Sequence, residues 1–178
     1  MIVSAALLLR EKGLTGTSFG DVIEHSGAPR GSIYHHFPDG KAQLVEEAVR
    51  YAGSYVEESI ESSDPVEALR SFTSAWRTTL EQSDFRAGCP VVAVAVEARS
   101  EAPELAAAAA DAFGGWQRAL QALLEGAGVE PARARTLAAT TVAAIEGAVV
   151  ICRAQRDIQP LNDVSMELEK MLSSALAR

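Results

Sequence analysis

Apolar residues recur along most of this chain three and four residues apart, the spacing that lines one face of a helix, and they seldom alternate with a period of two. The first helix is predicted over residues 2–12, with Ala5, Ala6, Leu8 and Leu9 turned inward and Gly13 as its stop. A second opens after Ser18, where Asp21 stands three residues on as a capping-box partner and Phe19, Val22 and Ile23 form the apolar face. Ser26-Gly27 ends it. A third is predicted over residues 29–36, Pro29 fitting a first turn that needs no amide hydrogen. That helix buries little besides Ile33, with Phe37 at its end. The turn Phe37-Pro38-Asp39-Gly40 leads into a helix over residues 41–62, whose Leu44, Val45, Ala48, Tyr51, Ala52 and Tyr55 keep helical spacing. Asp64 can cap the next helix, with Pro65 at its first position.

Five more helices are predicted, over residues 66–83, 90–100, 103–126, 131–156 and 161–176, each starting at or beside a proline. Val91 to Val96 could be read as a short strand, but Pro90 opens it and Glu97-Ala98-Arg99 extends a helical pattern. The fold class is therefore all-α, with a three-helix head over residues 1–45 and a helical body over 46–178.

The head carries the demanding pattern. Two short helices joined by a tight turn containing Gly make a helix-turn-helix, whose second helix is held out to enter the DNA major groove. The second helix is polar where a packing helix would be apolar. Arg30 lies where a side chain reaches guanine edges or a phosphate, and Gly31 removes bulk at close approach. Tyr34 and His35 can donate to phosphate oxygens, and Lys41 adds a cation. Reuse of the motif for packing alone would leave this polar helix without a purpose. His35, His36 and Asp39 do not have metal-ligand spacing, since adjacent helical histidines point apart and no His-X3-His or Cys-X2-Cys occurs, so no metal is expected.

The 178 residues carry a net charge of −8, which at first sight opposes nucleic acid. Position changes that picture. Residues 1–41 balance Arg10, Lys12, Arg30 and Lys41 against Glu11, Asp21, Glu24 and Asp39, and they hold all three histidines, so the acidic excess belongs to the remainder. An acidic body is pushed off DNA except through such a head. Hydrophobic content of 48% and charged content of 22% suit a globular protein. Cys89 and Cys152 are too few for a disulfide framework and read as buried thiols in a reducing compartment. The apolar start, MIVSAALLLREKG, has no basic residue before it and no small-residue cleavage site after it, so it reads as a buried helix and not a signal peptide. No membrane span and a cytoplasmic location are expected.

The stretch GTSFGDVIEHSGAPRGSIYHHFPDGKAQLVEEAV resembles the DNA-binding signature of the TetR (tetracycline-repressor-like) family of bacterial transcription regulators. The run Gly27-Ala28-Pro29-Arg30-Gly31-Ser32-Ile33-Tyr34-His35-His36-Phe37, followed by Lys41, carries the likeness. It departs at Pro29, where the family often has a small polar residue, and a side-chain phosphate contact is lost there. The resemblance implies DNA contacts from Thr17, Ser18, Arg30, Gly31, Ser32, Tyr34, His35, His36 and Lys41. Relatives usually carry a basic arm ahead of the first helix; without one, weaker grip on the DNA backbone is expected.

In the body, GCPVVAVAVEA and the FGGWQRALQALLEGAG helix resemble the LmrA/YxaF-like subgroup, which implies a repressor released from operator DNA when a drug-like or flavonoid-like compound binds. Aromatic residues gather in the middle helices, and a concave apolar site with few polar groups is how small-molecule pockets are built. The expected pocket residues are Phe72, Trp76, Cys89, Val92, Val96, Phe113, Trp116 and Ile145, around a small hydrophobic or aromatic inducer. Gly114-Gly115 inside a helix costs about 1 kcal/mol per Gly, so a kink or close approach is expected there.

The last two helices read as an intersubunit seam. Ala138, Ala139, Val142, Ile145, Val149 and Cys152 run along one, which Ala143, Gly147 and Ala148 make apolar nearly all round. Leu161, Val164, Leu168, Met171, Leu172 and Ala175 stripe the other. The resemblance implies a homodimer through a four-helix bundle of these helices. No Gly-X-Ser-X-Gly elbow, phosphate loop or His-Glu-X-X-His helix occurs, and Cys89 has no histidine in the body to act as its base, so an enzyme is not expected. No cofactor is implied. The competing class is a ligand-binding or protein-interaction module with weak or no DNA binding.

Overall fold

A computed structural model describes residues 1–60, 64–98, 100 and 102–177, and all the regular structure among them is helical. Local chemistry sets most helix ends. Helix α1 (Ile2–Lys12) stops at Gly13, whose φ of 73° is positive and whose N–H donates to Leu9 O. Helix α2 (Phe19–Ser26) starts with a reciprocal capping box: Asp21 N–H donates to Ser18 Oγ at 3.2 Å, and Ser18 N–H to Asp21 Oδ2 at 2.9 Å. Gly27 ends it with φ 67°.

Helix α3 (Ser32–His36) is shorter than the eight residues predicted. Ala28 precedes a proline, which disfavours helical backbone there, and a single turn follows in which Ser32 N–H donates to Pro29 O at 2.9 Å. Pro29 and Arg30 thus belong to the turn and not to the helix.

Helix α4 (Lys41–Ile60) matches the long helix after the head; its expected last two residues lie outside the described residues. Helix α5 (Pro65–Gln82) is capped as predicted, Asp64 Oδ1 accepting from the amides of Val66 at 2.9 Å and Glu67 at 3.2 Å. Helix α6 (Pro90–Glu97) is a helix and not a strand, and it ends earlier than predicted because Ala98 is extended. Helix α7 (Pro103–Gly126) is continuous through Gly114-Gly115. Helix α8 (Pro131–Gln155) has Glu130 as its cap, and helix α9 (Gln159–Leu176) begins two residues before the predicted start.

The chain divides into two compact units, Met1–Ser54 with Cys89–Ala112, and Tyr55–Gly88 with Phe113–Arg178. In the first, α1 packs on α2 and α6, and Leu9, Val22, Ile33, Leu44, Val45, Val49 and Val91 are fully buried. Helices α4 and α7 contribute to both units. Within the first they meet at Gly53, where an added Cβ would lie 2.9 Å from Ala112 Cβ.

In the second unit α8 and α9 pack on each other and on α5, around Leu69, Leu80, Leu124, Leu137, Ile145, Val149, Leu161 and Leu172. Burying a side chain of this size is worth about 1.5–3 kcal/mol. Helix α8 is long and apolar enough to cross a membrane by length and composition, contrary to the expectation that no stretch would be. Its apolar residues have another use, since Leu137, Ala138, Ile145, Ala148, Val149 and Cys152 are buried in this core. Cys89 and Cys152 are buried thiols outside any disulfide, as expected.

Candidate functional site

The head presents α3 and the turn before it as an exposed polar ridge. Arg30, Gly31, Tyr34, His35 and His36 are exposed, and Ser32 is half-buried. Ile33 and Phe37 anchor the ridge from beneath, at 0% and 4% exposure. Tyr34, at 69% exposure, leans edge-on against Phe19 of α2 with ring centroids 5.7 Å apart, so one aromatic pair fixes the two helices of the motif to each other. His35 and His36 pack edge to face at 5.5 Å. No cluster of His, Cys, Asp and Glu with the makings of a metal site is present among the described residues.

Two expected DNA contacts already have work inside the head. Thr17 is buried, and its hydroxyl donates to Gly13 O at 2.7 Å. Lys41 Nζ donates to Leu14 O at 2.7 Å. Ser18, which is exposed, belongs to the capping box, and its hydroxyl also bonds the Asp21 carboxylate. The ammonium of Lys12, 2.5 Å from Asp21, and then the hydrogen bonds from Ser18 hold the Asp21 carboxyl well below the usual carboxylate range.

The loop between α1 and α2 is clasped by a residue far along the chain. Glu97, the last residue of α6, accepts from Thr15 N–H at 2.8 Å across 82 positions. Burial pushes its carboxyl up, but hydrogen bonds from Thr15 and Leu14, with Lys41 close by, bring it net below its ordinary value. A side chain at Gly13 would collide with the Glu97 carboxylate. Nothing in the local sequence around Glu97 marks it for this contact.

The second unit contains an apolar cavity of about 40 Å³. Its wall takes Val56 and Ile60 from α4, Ala68, Leu69 and Phe72 from α5, Trp116 and Leu120 from α7, Thr141, Val142, Ile145 and Glu146 from α8, and Leu172 from α9. One water needs roughly 10–15 Å³ on this scale, so anything larger than a short chain must displace a wall residue.

Of the eight expected pocket residues, Phe72, Trp116 and Ile145 line this cavity. Trp76 and Phe113 stand behind it, Trp76 edge-on to Phe72 at 6.3 Å and Phe113 edge-on to Trp116 at 5.2 Å. Cys89, Val92 and Val96 do not belong there: they lie in the first unit, on or beside α6, whose apolar side packs against α1, and Val96 is 76% exposed. Thr141 and Glu146 were missed. A usable signal existed for the second, because Glu146 is the only acidic residue in the 25 of α8.

A helix-turn-helix head joined to a helical body defines a class, the DNA-binding transcription regulators. Comparison makes the class specific. Residues 2–48 match the bacterial regulatory proteins of the tetR family, and residues 65–167 match the transcriptional regulator LmrA/YxaF-like C-terminal domain. The chain belongs to the TetR family, with a body of the LmrA/YxaF-like type. An HTH-type transcriptional regulator of Mycobacterium tuberculosis is 44% identical over 99% of this chain and 94% of its own. The HTH-type transcriptional regulator YxaF of Bacillus subtilis is 32% identical over 89% and 85%. In fold, a TetR transcriptional regulator from Legionella pneumophila superposes with a TM-score of 0.82 at 21% identity, over 95% of this chain and 94% of that one. The family and these relatives are regulators of transcription, and the protein is not an enzyme.

Proposed function

We propose that the protein is a cytoplasmic, ligand-responsive repressor that binds a roughly palindromic operator as a homodimer and leaves it when a small hydrophobic molecule enters the body. The observation that carries this reading is the course of α4. It starts at Lys41, directly after the recognition segment 29–36, and its far end supplies Val56 and Ile60 to the cavity wall. A ligand that forces the wall outward shifts a helix that begins at the DNA-binding head. In a dimer, two heads must reach successive major grooves about 34–36 Å apart, so a small change at the body alters their fit to the operator. The coupling is reciprocal, and operator DNA weakens ligand binding by the same factor.

For the dimer, support comes from the face of α8 turned away from its own core. Ala143, Gly147, Val150 and Ile151 recur there at helical spacing and are exposed, and nothing lies within 4 Å of where a Gly147 side chain would begin. Met166 of α9 is exposed as well. An apolar strip of this kind, on the two helices that form the core, suits a second copy of the chain.

The test is a titration of labelled DNA from immediately upstream of the protein's own gene, against unrelated DNA, at near-physiological salt. Preferential binding to the upstream DNA is expected. Arg30→Ala should lose roughly 1–3 kcal/mol of that preference while binding to unrelated DNA changes less. Equal binding to both DNAs by parent and variant, repeated with operators selected from random sequence, would favour an interaction module without operator recognition.

A further inference from the structure

A threonine inside a helix ordinarily satisfies its hydroxyl on a carbonyl three or four residues back. On α8, Thr136 donates to Arg133 O at 2.9 Å and Thr140 to Thr136 O at 2.7 Å. On α5, the buried Thr73 donates to Leu69 O at 2.9 Å. Thr141, the neighbour of Thr140, departs from this pattern. It is 4% exposed, and its Oγ1 has no hydrogen-bond partner among the described residues.

A buried polar group left without a partner in a native protein calls for an explanation. The position of Thr141 supplies one, because it lines the apolar cavity one turn of α8 from Ile145. Glu146 and Trp116 line it too, and each is already engaged in an interaction of its own. Water is a poor substitute there: a buried water needs two to four polar partners, and most of this wall is Val, Ile, Leu, Ala and Phe. Since no backbone carbonyl takes the Thr141 hydrogen, the site lacks an acceptor. A hydrocarbon fills the space and leaves the hydrogen unmet. An alcohol that accepts it brings a hydrogen of its own, which then needs an acceptor on the same wall. A carbonyl oxygen meets the requirement and adds none.

Resting on the reading of this cavity as the effector site, we infer that its ligands are slim apolar molecules bearing one carbonyl oxygen, as in a ketone or ester, which accepts the hydroxyl hydrogen of Thr141. The alkyl part packs on Phe72 and Ile145, and the cavity of about 40 Å³ favours a narrow chain over a broad polycyclic molecule.

The probes are 2-pentanone and 2-methyl-1-pentene, which carries a methylene where the ketone has its oxygen, titrated calorimetrically into the full chain. They differ in hydration as well as in the bond, so the readout is how their affinity ratio changes between parent and variant. Thr141→Val should lower the ketone-to-alkene ratio about tenfold, and Thr141→Ser, which keeps the hydroxyl, should retain most of it. Thr141→Val should also raise the thermal unfolding midpoint of the free protein, since it removes an unmet hydroxyl and keeps the shape of the side chain. A lowered midpoint would mean that the hydroxyl has a partner already, and an unchanged ratio that it does not select the ligand; either overturns the assignment while the cavity stands. A ketone that binds through Thr141 but leaves operator affinity unchanged would remove the effector role and keep the chemistry. If neither probe binds the parent or changes operator affinity, the effector reading falls and the inference with it.

Discussion

Gly13 and Gly27 both take a positive φ, 73° and 67°, but Gly27 lies in the left-handed helical region with ψ 13° whereas Gly13, with ψ −179°, does not, and their surroundings differ as well. At Gly27 nothing lies within 4 Å of an added Cβ, so Gly27→Ala faces only the backbone penalty of about 1 kcal/mol. At Gly13 the same atom would collide with the Glu97 carboxylate, which must leave Thr15 N–H to make room. Gly13→Ala should therefore cost roughly 2–4 kcal/mol, against about 1 for Gly27→Ala, in urea unfolding. Equal costs would mean that Glu97 yields without losing its bonds. The Glu97 carboxyl also makes stability depend on pH. Its folded pKa lies below the ordinary 4.5, so the folded state holds the proton more weakly than the unfolded chain. The contribution is complete above about pH 4.5 and is lost as pH falls through the folded value. Glu97→Gln should accordingly lower the unfolding midpoint at about pH 7, and the difference should shrink as pH falls below the ordinary carboxylate range and the carboxyl takes up its proton.

At the scale of elements, most helix starts were legible because their causes are local. Ser18 with Asp21, Asp64 with Pro65, and the prolines opening α6, α7 and α8 act within three or four residues, which a sequence displays directly. The start of α3 was less legible, because Pro29 suits a first helical turn and a tight turn equally, and the structure uses it for the latter. Site membership was legible only in part. Aromatic residues announced Phe72 and Trp116, but which α8 side chains share their cavity depends on how five helices come together, and Cys89, Val92 and Val96 read as wall residues because their segment runs between the aromatics in sequence. Gly53 shows the same limit. Alone it reads as a weak point in α4, where alanine would gain about 0.5–1 kcal/mol of helix stability. Against Ala112 Cβ at 2.9 Å, overpacking costs about 1–3 kcal/mol, so Gly53→Ala should be net destabilising by thermal unfolding. A stabilised Gly53→Ala would show that α4 and α7 can move apart at little cost.

For the whole molecule, the exposed strip on α8 carries the expected assembly. Ile151, 45% exposed, can take a charge without entering its own core, so Ile151→Glu should keep the helical signal and the unfolding cooperativity of the chain. Sedimentation should then report a monomer where the parent is a dimer. Operator affinity should fall by orders of magnitude, since each head alone contacts one half-site. A variant that still sediments as a dimer would move the interface elsewhere. The Glu97 clasp has a different consequence, for how such regulators can be recombined. The unit holding the helix-turn-helix is not a contiguous block, because residues 89–112 belong to it as much as residues 1–54 do. Grafting a foreign reading head onto this body at residue 48 would pair the incoming α1–α2 loop with a carboxylate shaped for Leu14 and Thr15. Chimeras that exchange α6 along with the head keep the clasp and its loop together, and they are the ones to build when a new operator specificity is wanted on this body.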